Sequence, residues 1–290
     1  MINNKFRQAL AGGTSMFEHP EGEDSIDPLR FVVLSAEGTQ TERNYFEHLT
    51  NLLETHNIRL QFHVLEHTSG ENAPEDLLKH LQKCRRIQQD DLISEELMVI
   101  IKKELSPEDI NNLDNLINEK PLPEKIKRVL LSYGIDIDYH MFIRKFDPKL
   151  DTFAVVLDRD KDNHSEKSLR SVKEKCKEES FDMCLSNPCF EFWLFMHIWD
   201  KQDLSDELKK EMLENKDHYM SSFLSKKTHH RKKITKGKFD QLYSHSISSA
   251  IQNALRFSTD FSVILSNLGT NLGVFMSSLE KKYHFHFPNS

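Results

Sequence analysis

The sequence predicts an α/β fold: a mainly parallel, Rossmann-like sheet flanked by helices, with a helical insert and a helical C-terminal part. Three observations carry this. Short runs of β-forming residues alternate with helical segments through the first two-thirds of the chain. The first run is followed at once by a Gly-containing turn and a helix, a strand–turn–helix opening. Two of the strongest apolar runs end in carboxylates, as strands of an open parallel sheet do where they face a site.

Residues 1–29 read as an N-terminal arm, because Gly12, Gly13, Pro20 and the acidic Glu21, Glu23 and Asp24 break any helical pattern. Phe31 to Ser35 is a first buried strand. Thr39 is placed to cap the next helix, with Glu42 three residues on as in a capping box, and Tyr45, Phe46, Leu49, Leu52 and Leu53 form its apolar face. Leu60 to Leu65 alternates as a second strand, and Pro74 to Asp91 is a helix with Leu77, Leu78, Leu81 and Cys84 on one face. Helices are expected through residues 93–133, starting anew at Ser106-Pro107 and broken at Pro121-Leu122-Pro123. Thr152 to Leu157 is the clearest buried strand, with Asp158-Arg159-Asp160 at its end. Glu166 to Glu179 is a charged helix, Phe181 to Leu185 a strand, and Phe190 to Trp199 an aromatic helix whose rings are core material. The expected division is therefore an arm over 1–29, an α/β core over 30–200 with a helical insert at about 93–150, and helices over 201–290.

With 290 residues, 38% hydrophobic and 29% charged, the chain can bury a substantial core and is not of disordered composition. Its net charge of -7 gives no argument for nucleic-acid binding, which would have to rest on a local basic patch or on metal ions. Cys84, Cys176, Cys184 and Cys189 form no C-x-x-C pair and read as reduced structural thiols. No apolar run approaches the roughly 20 residues of a membrane helix, and the N-terminus lacks a signal core. The expected location is cytoplasmic, without membrane contact. His229, His230, His284 and His286 lack partners at finger spacing, so zinc is not expected.

The chemistry lies at the strand ends. Glu37 follows the first strand, and Asp158 and Asp160 end the later one. Carboxylates brought together repel unless a cation sits between them. A few hard oxygen ligands suit Mg²⁺ or Mn²⁺, which can polarise a phosphoryl oxygen and activate water. Glu191, four residues after Asn187, is a candidate further ligand or a carboxylate favoured by the helix dipole. Asn187-Pro188 reads as a turn that puts Pro at the first helical position. His197, six residues past Glu191, does not share its helical face and reads as a core or surface histidine. Glu42 reads as a capping residue before a ligand. Between 226 and 238 there is no acidic residue, and Lys226, Lys227, Arg231, Lys232, Lys233 and Lys236 form the one strong basic run. It is either a solvated loop or a phosphate-backbone contact.

These residues also resemble a family. Glu37-Gly38-Thr39-Gln40-Thr41-Glu42 with Tyr45-Phe46 is similar to the E-G-x-x-T-E-x-x-Y-F opening of RloB-like proteins, and Asp158-Arg159-Asp160 to their D-x-D strand end. Ser186 to Leu194 with His197 resembles their S-N-P-x-F-E-x-W-L-x-x-H segment, and Thr270-Asn271 a later T-N motif. The family's lysine near the basic run aligns loosely with Lys233 or Lys236. Residues 93–150 look longer than the family norm. The resemblance implies a Toprim-related fold and a role in bacterial anti-phage defence of the abortive-infection type, often beside an ABC-type ATPase encoded nearby. It also implies that Glu37 serves as general acid/base or metal ligand, and that Asp158 and Asp160 bind Mg²⁺. The expected function is then a metal-dependent nuclease acting on RNA, such as transfer RNA, or on DNA. The alternative is a non-catalytic sensor or adaptor with a degenerate Toprim fold, binding the ATPase or a phage protein through the insert. The sequence does not fix the oligomeric state and is compatible with a homo-oligomer.

Overall fold

Four apolar runs become parallel neighbours in one sheet. The structure, a computed structural model, describes residues 29–38, 40–65, 73–89, 127–128, 142–143, 145–147, 149–228 and 234–288. The chain divides into two compact units, one of residues 1–28 and 83–150, the other of 29–82 and 151–290. The expected arm and nearly all of the expected 93–150 insert lie outside the described residues. The sheet and the C-terminal helices belong together in the second unit.

The strands are β1 (Arg30–Ala36), β2 (Leu60–Val64), β3 (Thr152–Asp158), β4 (Asp182–Asn187) and the two-residue β5 (Gly269–Thr270). Their order is β2-β1-β3-β4-β5. β1 pairs in parallel with both β2 and β3, so Val32 lies opposite Phe62 on one side and Thr152 on the other. β4 is parallel to β3, and β5 runs antiparallel to β4. The chain moves outward from β1 to β2 and then returns to place β3 on β1's other side. The carboxyl ends of β1 and β3 therefore flank a topological switch point, where open α/β sheets bind ligands. Near-continuous burial along β1 and β3 is what a strand covered on both faces requires.

The helices are α1 (Thr41–Thr55), α2 (Pro74–Gln89), α3 (Glu166–Glu178), α4 (Phe190–Ile198), α5 (Asp206–Glu214), α6 (Tyr219–Thr228), α7 (Lys236–Leu242), α8 (Ile247–Ala254), α9 (Phe261–Ile264) and α10 (Leu272–Tyr283). Two sequence expectations about their starts need correction. The N-cap of α1 is Gln40, without a side-chain cap, so Glu42 is not the third residue of a capping box; Thr39 itself is outside the described residues. The Asn187–Pro188 peptide is cis and α4 begins at Phe190 with Cys189 as N-cap, so Pro188 is not its first residue.

α4 is buried on nearly every side through Phe190, Phe192, Trp193, Leu194, Phe195, Met196 and His197. A helix apolar all round sits in the middle of a core, and α4 joins the sheet to the C-terminal helices within one apolar cluster. Its last carbonyls, which no further turn can satisfy, accept from Asn253 Nδ2: Met196 O at 2.8 Å and Trp199 O at 3.2 Å. Asn271 extends the sheet with a side chain, its Oδ1 accepting from Leu185 N at 2.6 Å and its Nδ2 donating to Met183 O at 2.9 Å. All four cysteines are buried and free. Among the described residues no helix is long and apolar enough to cross a membrane.

Candidate functional site

The pairing of β1 with β3 ends in a side chain. Glu37 N donates to Val156 O at 3.1 Å, continuing the ladder, and Asp158 N then donates to Glu37 Oε2 at 3.2 Å. The carboxylate after β1 is thereby held over the end of β3. Asp158 Oδ1 in turn accepts from Phe190 N at 2.8 Å, the first amide of α4. An amide at a helix N-terminus favours negative charge there. Even so, the Asp158 carboxyl is held well above the usual carboxylate range, first by burial and then by repulsion from Glu42, Glu37 and Glu191.

Glu42 points inward from the first turn of α1 and is only 4% exposed. Its Oε2 is buried without a hydrogen-bond partner. Burial pushes its carboxyl up to about 8, the Glu191 and Glu37 charges adding to the shift, while backbone amides at Glu42 and Gly38 only partly offset it. Gly38 makes room for this side chain, since a Cβ there would land on the Glu42 carboxylate. Glu191, in the first turn of α4, accepts from Ser221 Oγ of α6 at 2.6 Å. Four carboxylates, from the ends of β1 and β3 and the first turns of α1 and α4, thus share one region, and the other three raise the cost of ionising Asp158.

The structure treats the two aspartates of the D-x-D differently. Arg159 between them is buried, its Nε donating to Leu265 O at 2.9 Å and its Nη1 to His164 O at 2.8 Å. After Arg159 N bonds Ser186 O at 2.8 Å, the chain turns, and Asp160 O accepts from His164 N at 2.8 Å. The Asp160 carboxylate closes this turn. Its Oδ2 accepts from Asn163 Nδ2 at 2.7 Å, and its Oδ1 from Asp162 N at 3.2 Å and Asn163 N at 3.3 Å. Asp158 joins Glu37, Glu42 and Glu191; Asp160 stands outside them and reaches the site through His164.

His164 is a residue that the sequence reading missed. Its Nε2 lies 3.1 Å from Glu37 Oε2. At that distance the Glu37 carboxylate is a partner for a ring N–H as well as a charge beside it. Glu37 raises the imidazole's pKa, burial opposes the rise, and Asp160 adds to it. Lys238 of α7, the last residue of the basic run, differs from its exposed lysines. It is buried, and the desolvation that lowers its pKa is partly countered by Glu191. Lys238 precedes Leu242 by one helical turn and so shares the apolar face of α7. The buried Tyr243 hydroxyl has no hydrogen-bond partner and is pushed up first by burial and then by Glu191.

The remaining candidates lie elsewhere. His197 is a core residue, its Nε2 3.0 Å from Tyr45 OH and its Nδ1 2.9 Å from Ser246 Oγ. Ser246 Oγ already donates to Leu242 O, so it accepts from Nδ1–H, and Nε2 accepts from Tyr45. Burial lowers this imidazole to about 3, fixing it neutral. Asn187 Nδ2 donates to Ile264 O and ties the end of β4 to α9. Lys226, Lys227 and Lys236 are exposed, and Arg231, Lys232 and Lys233 lie outside the described residues.

Among the described residues, no three His, Cys, Asp or Glu side chains stand close enough together to chelate a metal ion as they are. The donor set is nonetheless all carboxylate, mutually repelling, with one buried oxygen unpartnered. In charge and oxygen chemistry it fits a hard divalent cation, and side-chain rotation would be needed to close the shell.

No curated protein and no solved structure matches the chain. A family match does span residues 32–279, nearly the whole chain and every residue of the carboxylate cluster, and the protein belongs to the RloB-like protein family.

Proposed function

We propose that the protein is a divalent-metal-dependent nuclease that hydrolyses phosphodiester bonds in RNA or DNA. The observation that carries this is the carboxylate cluster at the β1/β3 switch point, where Glu42 keeps a buried oxygen without a partner. Such a group costs about 1–3 kcal/mol unless something satisfies it, more if charged. Asp158 and Glu37 would hold Mg²⁺ or Mn²⁺, with Glu191 and Glu42 completing the shell and Asp160 joining on release of its turn. A bound ion would supply Lewis-acid polarisation of a phosphoryl oxygen and a more acidic water. Glu37 would accept the proton of the attacking water and so become neutral, and His164, 3.1 Å from its Oε2, would hold the carboxylate in place before that step. The exposed Lys226, Lys227 and Lys236 would meet the substrate backbone.

The Toprim relationship, the anti-phage role and an ABC-type ATPase partner that restrains or activates the enzyme rest on the family resemblance and are part of this proposal. Labelled transfer RNA, messenger-like RNA, single-stranded DNA and duplex DNA, incubated with Mn²⁺ or with EDTA, test it beside Asp158→Ala. Metal-dependent cleavage lost in the variant is the expected outcome. If the protein alone is silent, the assay is repeated with the neighbouring ATPase and nucleotide. Silence in both sets sinks the nuclease reading and leaves the adaptor.

A further inference from the structure

We propose that Ser221 is a positioning residue that sets which divalent cation this site accepts, by tying one oxygen of Glu191 so that the ion meets only the other. The inference deepens the metal-dependent reading above and rests on it. A pattern repeated on three carboxylates carries it. Glu37 Oε2 accepts from Asp158 N at 3.2 Å and lies 3.1 Å from His164 Nε2. Asp158 Oδ1 accepts from Phe190 N at 2.8 Å. Glu191, the next residue along α4, accepts from Ser221 Oγ at 2.6 Å through its Oε1. In each case the protein holds one oxygen and leaves the opposite one, Glu37 Oε1, Asp158 Oδ2 or Glu191 Oε2, for the ion or its water.

A carboxylate held in this way binds a cation through a single oxygen. Mg²⁺ and Mn²⁺ suit such ligands, because their octahedral shells are readily completed by water. Ca²⁺ is larger, takes roughly 6–8 oxygens and often uses both of a carboxylate. As they stand, the acidic side chains among the described residues do not close around an ion, which leaves room for water in the shell. Two of the donors are backbone amides, and His164 shares its oxygen with Asp158 N, so of these donors Ser221 is the one side chain that holds a carboxylate alone. It comes from α6, whose first turn is held against α4 without it. Asn215 Oδ1 accepts from Met220 N at 2.8 Å, and Asn215 Nδ2 donates at 3.8 Å to the Sγ of Cys189, the N-cap of α4. Removing the Ser221 hydroxyl therefore frees Glu191 to turn both oxygens to an ion while these contacts keep the helix in place.

The test uses the full chain. Mn²⁺ and Ca²⁺ are titrated separately into the metal-free protein by calorimetry at one fixed pH, with Asp158→Asn giving the background from surface carboxylates. Wild type should bind Mn²⁺ more tightly than Ca²⁺. Ser221→Ala should lower the ratio of Mn²⁺ to Ca²⁺ affinity by about 10-fold, the scale on which losing the hydrogen-bond partner of a metal ligand is felt. Ser221→Thr keeps the hydroxyl and should restore the ratio. The ratio is the readout because a site merely loosened by the substitution weakens both ions alike. Should Ser221→Ala fail to fold, Ser221→Cys, of similar shape and with only a weak donor, takes its place. An unchanged ratio in Ser221→Ala, or a ratio that Ser221→Thr does not restore, overturns the inference. A wild type that takes up Mn²⁺ and Ca²⁺ equally well also overturns it and leaves the metal site standing. A wild type that takes up no Mn²⁺ overturns both readings.

Discussion

Replacing Glu42 with glutamine should change how stability depends on pH in the metal-free protein. The Glu42 carboxyl titrates near 8 in the fold against an ordinary value of 4.5. A group raised in this way binds its proton more tightly folded than unfolded, so its stabilising share is complete below about 4.5 and is lost as pH rises toward 8. Each pH unit in that window removes up to about 1.4 kcal/mol. The accumulated loss is about 3 kcal/mol at pH 7 and about 5 kcal/mol at pH 9, a large part of the stability of an ordinary domain. Glutamine keeps the shape and cannot ionise. Urea unfolding in EDTA, at pH 5.5, 7 and 8.5, should show the gap between Glu42→Gln and wild type widening by about 3 kcal/mol across the range. Any fixed offset from the amide drops out of that slope. A gap that stays constant with pH would refute the claim that Glu42 is a buried, repelled carboxylate.

Three further outcomes follow from the same geometry. Gly38→Ala places a methyl on the Glu42 carboxylate and should cost about 1–3 kcal/mol by overpacking; combining it with Glu42→Ala should recover most of the loss in thermal unfolding. Mn²⁺ at a hundred times its dissociation constant should stabilise wild type by about 2.7 kcal/mol and Asp158→Asn hardly at all, read from the shift of the denaturant midpoint. Arg159→Ala leaves the carbonyls of Leu265 and His164 without their donor and should cost about 2–4 kcal/mol; an unchanged urea midpoint would show that the turn after Arg159 is held by other contacts.

Much of the frame was legible because it is written in local patterns. The β-branched and apolar runs at 31–35 and 152–157 are β1 and β3, and the carboxylates that follow them, Glu37 and Asp158, meet at the strand ends. Glu191 was placed near them through its position at a helix start. Glu42 was misread because a Thr-x-x-Glu spacing fits either a capping box or an inward-facing carboxylate, and the choice depends on the actual helix start and on the space above Gly38. Asp160 was grouped with Asp158 because two carboxylates one residue apart can turn toward the same ion where a strand ends between them. β3 does end at Asp158, but the inward pull on Arg159 and the turn closed by Asn163 and His164 hold the Asp160 carboxylate in the turn instead. His164 carries no motif, since a turn brings it to the cluster only through tertiary packing. β5 has two residues, too few for any periodicity to register.

The central claim is that Glu37, Glu42, Asp158 and Glu191 take a divalent cation between them. Crystals grown with Mn²⁺, measured at the manganese absorption edge, test it most directly. The account predicts one anomalous peak at roughly 2.0–2.3 Å from oxygens of Asp158 and Glu37, with the free oxygen of Glu42 turned toward the ion or its water. A clean map with no peak in the cluster, or with manganese only at Asp160 and the surface, would contradict it.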